Sequence, residues 1–395
     1  MGRLEQMINE LCPHGVVFSN LSEVLTIRNG KDYKGFAKGD IPVYGSGGII
    51  TYIDTAAYGK ASVLIPRKGS LDKLYYVDAP FWTVDTIFYT EIDETKVIPR
   101  YVFYCLQSQH LERLNKAGGV PSLTQAELNR VKIPLPPLPV QSEIVRVLDN
   151  FAELTSELTS ELTARKKQYE YYRDLLLTFS NADATIVDKT RQDKTRQDKT
   201  RQDKTRIADL RGAVKWLTIE SLCDISRGKV ISKDFIRDNP GKYPVYSSQT
   251  EDNGVLGLIS EYIYDGDYLT WTTDGANAGT IFYRSGRFNI TNVCGLLKPT
   301  SDNINIRYLY FILGITADKY VSRGMGNPKL MSNVMARIKV PVPPLEEQER
   351  IVAILDHFDA LCNDITSGLP AEIEARRRQY EYYRDKLLTF REKTT

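Results

Sequence analysis

At 395 residues the chain has room for two domains and further structure, and its 42% hydrophobic and 26% charged residues match a soluble globular protein. No apolar run approaches the ~18 residues of a membrane span, and MGRLEQMINELCPHG has acidic residues where a secretion signal has a basic flank. A cytoplasmic protein without membrane contact is expected. Cys12, Cys105, Cys223, Cys294 and Cys362 are dispersed and form no CxxC pair, which suits reduced, buried thiols better than disulfides or a zinc site. The net charge of +2 does not announce a nucleic-acid partner. Eight Lys/Arg stand against four Asp between Asp188 and Arg206, so the rest of the chain carries −2. Any phosphate-binding clusters must sit in local loops.

In chain order, a globular part runs from Val16 to Lys132. Its runs ASVLIPR and TVDTIFYT, rich in β-branched and aromatic residues, read as strands, and the segment from Arg100 reads as a helix. Pro134, Pro136, Pro137 and Pro139 are expected to hold off helix. From Gln141 to Phe179 the apolar positions Ile144, Leu148, Phe151, Leu158, Leu162, Tyr169, Tyr172, Leu176 and Phe179 form a heptad seam, broken at Thr155 and Arg165. Tandem DKTRQ units follow from Asp188 to Arg206. Without a single apolar residue they read as a mobile tether, with a charged helix as the alternative. A second globular part spans Ala213 to Lys339, with a strand in YLTWTTDG and a helix from Arg307. A second helical part repeats the seam with Ile351, Leu355, Phe358, Cys362 and Ile365, is interrupted at Gly368 and Pro370, and resumes with Ile373, Tyr380, Tyr383, Leu387 and Phe390.

The chain is thus written twice. IPLPPLPVQSEIVRVLDNFAEL from Ile133 returns as VPVPPLEEQERIVAILDHFDAL from Val340, shifted by 207 positions. ARKKQYEYYRDLLLTF from Ala164 returns as ARRRQYEYYRDKLLTF from Ala375, shifted by 211. Fainter echoes keep step: RYVFYCL with RYLYFIL, IPVYGSGG with YPVYSSQT, and GGVPSLTQAELNRVKIP with MGNPKLMSNVMARIKVP. The expected fold is α+β: two α/β domains separated by two long helices that pair as an antiparallel coiled coil, with an internal pseudo-two-fold repeat. The expected divisions are 1–133 and 208–339 for the α/β domains, 134–184 and 340–395 for the helical regions, and 185–207 for the linker.

Catalytic signatures are missing. There is no GxxxxGK[ST], GxGxxG or GxSxG pattern, His14, His110 and His357 stand far apart, and neither the F-x-G-x-G loop nor the D/N-P-P-Y/F tetrad of DNA methyltransferases occurs. Asp93-Glu94-Thr95-Lys96 resembles a nuclease carboxylate-x-Lys string but has no counterpart in the second copy. No metal site is expected. The best binding surface lies in polar, glycine-rich loops. In the first copy Arg28, Lys31, Lys34 and Lys38 precede the Tyr44-Gly45-Ser46-Gly47-Gly48 turn, and Arg67-Lys68 closes a strand. In the second, Arg227, Lys229 and Lys233 precede Tyr246-Ser247-Ser248-Gln249, and Thr273, Asn277, Arg323, Asn327 and Lys329 follow. Lys and backbone amides suit phosphates, while Arg, Asn and Gln suit base edges. Tyr169, Tyr172, Tyr380 and Tyr383 are more aromatics than one seam needs, so some of them are expected to face a partner.

The opening LEQMINELCPHGVVF, the twin PLPPLPVQSEIV and PVPPLEEQERIV segments, the twin QYEYYRD helices and the tandem Thr-Ser-Glu-Leu from Thr155 together resemble the specificity subunit of type I restriction-modification systems, over essentially the whole chain. The resemblance implies two target-recognition domains that read the halves of an asymmetric, bipartite site in double-stranded DNA, and helices that dock two modification subunits. It also implies that cofactors belong to partners: S-adenosylmethionine to the adenine-methylating subunit, ATP and Mg to the restriction subunits, none to this chain. The DKTRQ array departs from the family pattern. The competing readings are a structural adaptor whose twin domains bind protein, which the near-neutral charge favours, and, more weakly, a nuclease acting alone.

Overall fold

The computed structural model describes residues 2–115, 121–179, 213–324, 326–364 and 367–393; the DKTRQ array lies outside them. The chain divides into two compact units, one made of residues 1–160 and 371–395, the other of residues 161–370. The division falls inside the helical regions, between residues 160 and 161 and between residues 370 and 371.

The first unit opens with α1 (Gly2–Leu11), whose Leu4 is buried. Strands β1 (Val17–Asn20), β2 (Leu25–Asn29), β3 (Ile41–Gly45), β4 (Gly48–Ile53), β5 (Ser62–Pro66), β6 (Tyr75–Val77), β7 (Trp82–Thr83) and β8 (Ile87–Ile92) follow. Then come α2 (Pro99–Ser108), α3 (Gln125–Leu128) and β9 (Lys132–Leu135). They form a four-stranded sheet ordered β2-β8-β5-β6, a three-stranded sheet β4-β3-β7 and a β1-β9 ribbon. Helix α4 (Leu138–Leu177) contributes its first half here and its second half to the other unit.

The second unit repeats the plan with β10 (Lys215–Thr218), α5 (Ile219–Leu222), β11 (Cys223–Arg227), α6 (Lys233–Asp238), β12 (Pro240–Tyr246), β13 (Val255–Ile259), β14 (Tyr264–Asp265) and β15 (Tyr268–Thr272). After these come β16 (Ile281–Arg284), β17 (Arg287–Ile290), β18 (Cys294–Pro299), α7 (Ile306–Thr316), α8 (Ser332–Arg337), β19 (Lys339–Val342) and α9 (Leu345–Asn363). Its sheets, β11-β18-β15-β16, β13-β12-β17-β14 and β10-β19, match those of the first unit, with β14 as an added edge strand. Helix α10 (Leu369–Leu388) returns the chain to the first unit.

Four identical residue pairs stitch each domain to its helix. Gln141 and Gln348 are buried near the start of α4 and α9. The Gln141 carboxamide accepts from the Ile98 amide at 2.9 Å and donates to the Lys96 and Pro136 carbonyls at 3.2 and 2.8 Å. Gln348 does the same with the Asn305 amide (2.8 Å) and the Asn303 and Pro343 carbonyls (2.8 and 2.9 Å). Tyr101 and Tyr308 donate to the Pro134 and Pro341 carbonyls. Arg100 meets Asp149 at 2.8 Å beneath the Tyr76 and Tyr104 rings, and Arg307 meets Asp356 at 2.7 Å beneath Tyr283 and Tyr310. A half-buried guanidinium shared between a carboxylate and aromatic faces is held by both Coulomb and cation–π attraction.

The seam pairs antiparallel. In the first unit Phe151 of α4 stacks on Tyr383 of α10 at 5.3 Å. In the second, Tyr172 of α4 stacks on Phe358 of α9 at 5.6 Å. Ile144, Leu148, Leu176, Ile351, Leu355, Cys362 and Leu387 are buried, whereas Leu158 and Leu162 are half-buried. At the expected break, Thr155 turns its hydroxyl back to the Phe151 carbonyl at 2.9 Å. The helix ends at Asn363 and restarts at Leu369 directly after Gly368, as expected, with Pro370 as the second residue of α10. One expectation is corrected. Pro139 does not hold off the helix but is its second residue, where the missing N–H removes no helical bond and the fixed φ already suits the turn.

Candidate nucleic-acid interface

In the first unit the Ser46-Gly47-Gly48 turn joins β3 to β4, with Gly45 paired to Gly48. Beside it lies the end of β5. The Arg67 and Lys68 amides both donate to the Thr86 carbonyl (2.9 and 3.3 Å), the Thr86 hydroxyl accepts from the Ser46 amide at 3.3 Å, and Tyr75 donates its phenol to the Ser46 carbonyl. On the far side the Gly69 amide donates to the Pro121 carbonyl and the Leu123 amide to the Arg67 carbonyl. Three loops are thereby fixed around Thr86, leaving Gly47 and Lys68 exposed. Thr86 was not singled out from the sequence. As a polar residue at a strand start it carried no signal of its own.

The second unit builds the same frame with different side chains. The Gly275 amide donates to the Pro328 carbonyl and the Leu330 amide to the Thr273 carbonyl, so Thr273-Asp274-Gly275 occupies the place of Arg67-Lys68-Gly69, and Pro328-Lys329-Leu330 that of Pro121-Ser122-Leu123. The isolated bridges Lys68–Ser122 and Asp274–Lys329 coincide in this superposition of patterns. The cation has changed sides of the bridge, and an acid has appeared opposite it. Gly30 and Gly228 serve one purpose in the two frames: a Cβ there would lie 2.0 Å from the Val84 carbonyl oxygen or 2.1 Å from that of Ile290, so only glycine permits this backbone approach.

The predicted residues separate clearly. Ser46, Gly47, Gly48, Arg67 and Lys68 come together, and Lys31 joins their edge through its amide, which donates to the Thr83 carbonyl. Arg28 lies on β2 in an ion pair with Glu91 at 3.0 Å, and the Lys34 amide caps Asp32. In the second unit Arg227 donates to the Thr273 hydroxyl at 2.7 Å, and Thr273 itself is buried and donates to the Val293 carbonyl. Thr273 therefore positions Arg227. Lys229 bridges to Thr291, whose hydroxyl donates to Ser247 at 3.3 Å. Asn277 donates to the Thr250 hydroxyl at 3.0 Å, and Gln249 folds inward onto the Val255 carbonyl. Ser248 is half-buried in the same loop, while Asn327 and Lys329 are exposed beside it. Arg323 is drawn off to Asp318. Arg284, missed from the sequence, is buried under this loop cluster, and burial lowers its pKa from the ordinary guanidinium value.

The four helix tyrosines are engaged within their own units. Tyr172 and Tyr383 are the stacked rings described above; Tyr169 lies 6.4 Å from Phe358, and Tyr380 donates to the Gln107 carboxamide at 2.8 Å. Burial pushes the Tyr169 and Tyr380 phenols up to about 12. The exposed aromatic of the repeated motif is Tyr382, 61% exposed. The signal was present in the sequence: a YEYY run on a helix places one ring off the seam. Asp93 accepts from the Thr95 amide and hydroxyl and pairs with Lys96 at 3.1 Å, which makes the nuclease-like string a closed turn. Among the described residues no cluster of three or more His, Cys, Asp or Glu could hold a metal, and no helix is long and apolar enough to cross a membrane.

Comparison with known proteins gives a consistent answer. The family model for the type I restriction modification DNA specificity domain matches twice, over residues 13–165 and 213–375. A putative type I specificity subunit of Mycoplasma pneumoniae is 38% identical over 282 residues, covering 71% of this chain and 94% of the relative. The EcoR124I/EcoR124II specificity subunit of Escherichia coli is 32% identical over 329 residues, covering 76% and 73%. The crystal structure of a type I system S subunit from M. genitalium shares the fold, with a TM-score of 0.63 over 95% of this chain and 96% of that one at 16% identity.

Proposed function

The chain belongs to the type I restriction-modification DNA specificity family, and from that membership we propose that it reads a bipartite, asymmetric site in double-stranded DNA, one half with each loop cluster. The observation that carries this reading is the pair of loop frames, alike in backbone pairing and different in side chains. Two identical readers would demand a palindrome, whereas two unequal ones demand different half-sites. In this reading the helices dock two modification subunits, which bring S-adenosylmethionine to adenine, and restriction subunits bring ATP and Mg. This chain supplies contacts and no chemistry of its own.

The test is to co-express the chain with modification subunits and map methylated adenines. A single non-palindromic motif with two specified halves is expected. Changing Lys68 to Ala should weaken binding evenly across sequences and reduce the salt slope by about 1, as for one lost phosphate contact. A palindromic motif, or methyl transfer by the purified chain alone, refutes the proposal. The adaptor reading predicts association that is insensitive to salt, so the same titration separates the two.

A further inference from the structure

Arg284 ends β16 with only 2% of its surface exposed. Its Nε donates to the Thr270 hydroxyl at 3.2 Å, but neither Nη1 nor Nη2 has a hydrogen-bond partner, and it makes no ion pair among the described residues. The guanidinium lies 3.6 Å from the centroid of the Tyr246 ring and 4.3 Å from that of Phe282. A buried, incompletely paired charge is costly to fold, and the fold does not require one at this position. In the first unit Ser62 pairs with Val77, as Tyr268 pairs with Arg284 in the second. Val77 fills the equivalent place within an apolar cluster of Leu64, Phe81 and Ile87.

The cover over Arg284 is the Ser247–Gly254 loop of the second reading surface. A Cβ placed on Gly254 would lie 3.1 Å from Arg284 Nη2. The loop closes by the Ser247 amide donating to the Gly254 carbonyl and by Gln249 donating to Val255. It is also strained: Asp252 (φ 48°) and Asn253 (φ 51°) precede Gly254 (φ 79°), all in the left-handed region, which is unfavourable for residues with a Cβ.

We infer that Arg284 is a DNA-contacting residue of the second half-site: on binding, the Ser247–Gly254 loop lifts and the two free Nη groups meet a planar pair of DNA acceptor atoms. This rests on the DNA-reading function proposed above. The acceptors belong either to the O6/N7 edge of a guanine or to a phosphate, both of which match the guanidinium fork.

The experiment uses the complex with modification subunits and a duplex carrying the full mapped site, beside one with the second half-site scrambled. Arg284→Val should keep or raise the melting temperature, because the first unit already folds around valine there. It should lose affinity for the full site by roughly ten- to a hundredfold, toward the parent's affinity for the scrambled duplex, with first-half discrimination intact. Arg284→Lys separates the acceptors: partial recovery with a salt slope reduced by less than one contact marks a phosphate, whereas no recovery, with methylation spreading at one G·C position, marks a guanine. Unchanged affinity and motif in Arg284→Val, or a marked fall in its melting temperature, overturns the inference. No DNA binding by the unsubstituted complex would refute the reading it rests on.

Discussion

Replacing Gln141 with leucine keeps the side-chain volume near the start of α4 and deletes a carboxamide that serves three backbone groups. The change strands the Ile98 amide and removes one partner each from the Lys96 and Pro136 carbonyls, in a site where Gln141 is 1% exposed. An unsatisfied buried group costs about 1–3 kcal/mol, and carbonyls with a spare lone pair sit at the low end. The sum is roughly 3 kcal/mol, enough to unlatch the start of α2 from α4 locally. Hydrogen exchange followed by mass spectrometry should show faster exchange in peptides spanning Lys96–Ser108, by about two orders of magnitude at 1.4 kcal/mol per decade. The matching peptide of the second unit, Asn303–Thr316, should be unchanged. Gln348→Leu should give the mirror pattern. If either substitution leaves both peptides within about threefold of the parent, the glutamines are not the stitch and the repeat of the QSE and QER segments needs another cause.

Two further outcomes are expected. Tyr172→Ser and Tyr383→Ser each remove a stacked ring and should lower the melting temperature, whereas Tyr382→Ser should leave melting unchanged and weaken co-purification with modification subunits; equal assembly in Tyr382→Ser would remove that face from consideration. Inserting one Thr-Ser-Glu-Leu after Leu162 extends α4 by ~6 Å and turns its far end by about 40° beyond whole turns, close to the ~34–36° of one base pair. Methylation mapping should then find both half-sites kept and the spacer one pair longer, and an unchanged spacer with full activity would contradict the helix as ruler.

The repeat, the α+β class and the antiparallel seam were legible because each depends on spacing: shifts of 207 and 211, heptads, and Gly368 with Pro370. Legibility stopped where function depends on non-local pairing. Arg28 and Arg67 look alike in sequence, yet Glu91, 63 residues away, takes the first into an ion pair. Thr273 looked like a reading residue and is buried, while Arg284, at the end of an ordinary-looking strand, is buried with neither Nη hydrogen-bonded. Pro139 was misread because a proline's effect depends on its position within the helix. The two units also divide the helices between them, which no local pattern reveals.

That division bears on the order in which the chain can be completed as it leaves the ribosome. The first unit is closed by residues made after the second: the Val16 amide donates to the Arg391 carbonyl, and the Lys393 amide donates to the Val16 carbonyl. Residues 161–370 form the second unit without interruption. At about 5–20 residues per second of synthesis, the N-terminal part waits roughly 10–40 s between the emergence of residue 160 and that of residue 371. Throughout that interval Leu4, Ile144 and Leu148 lack the Leu387 and Leu388 that share their core. The usual sequence of co-translational folding is therefore inverted, with the later-made recognition unit able to close first.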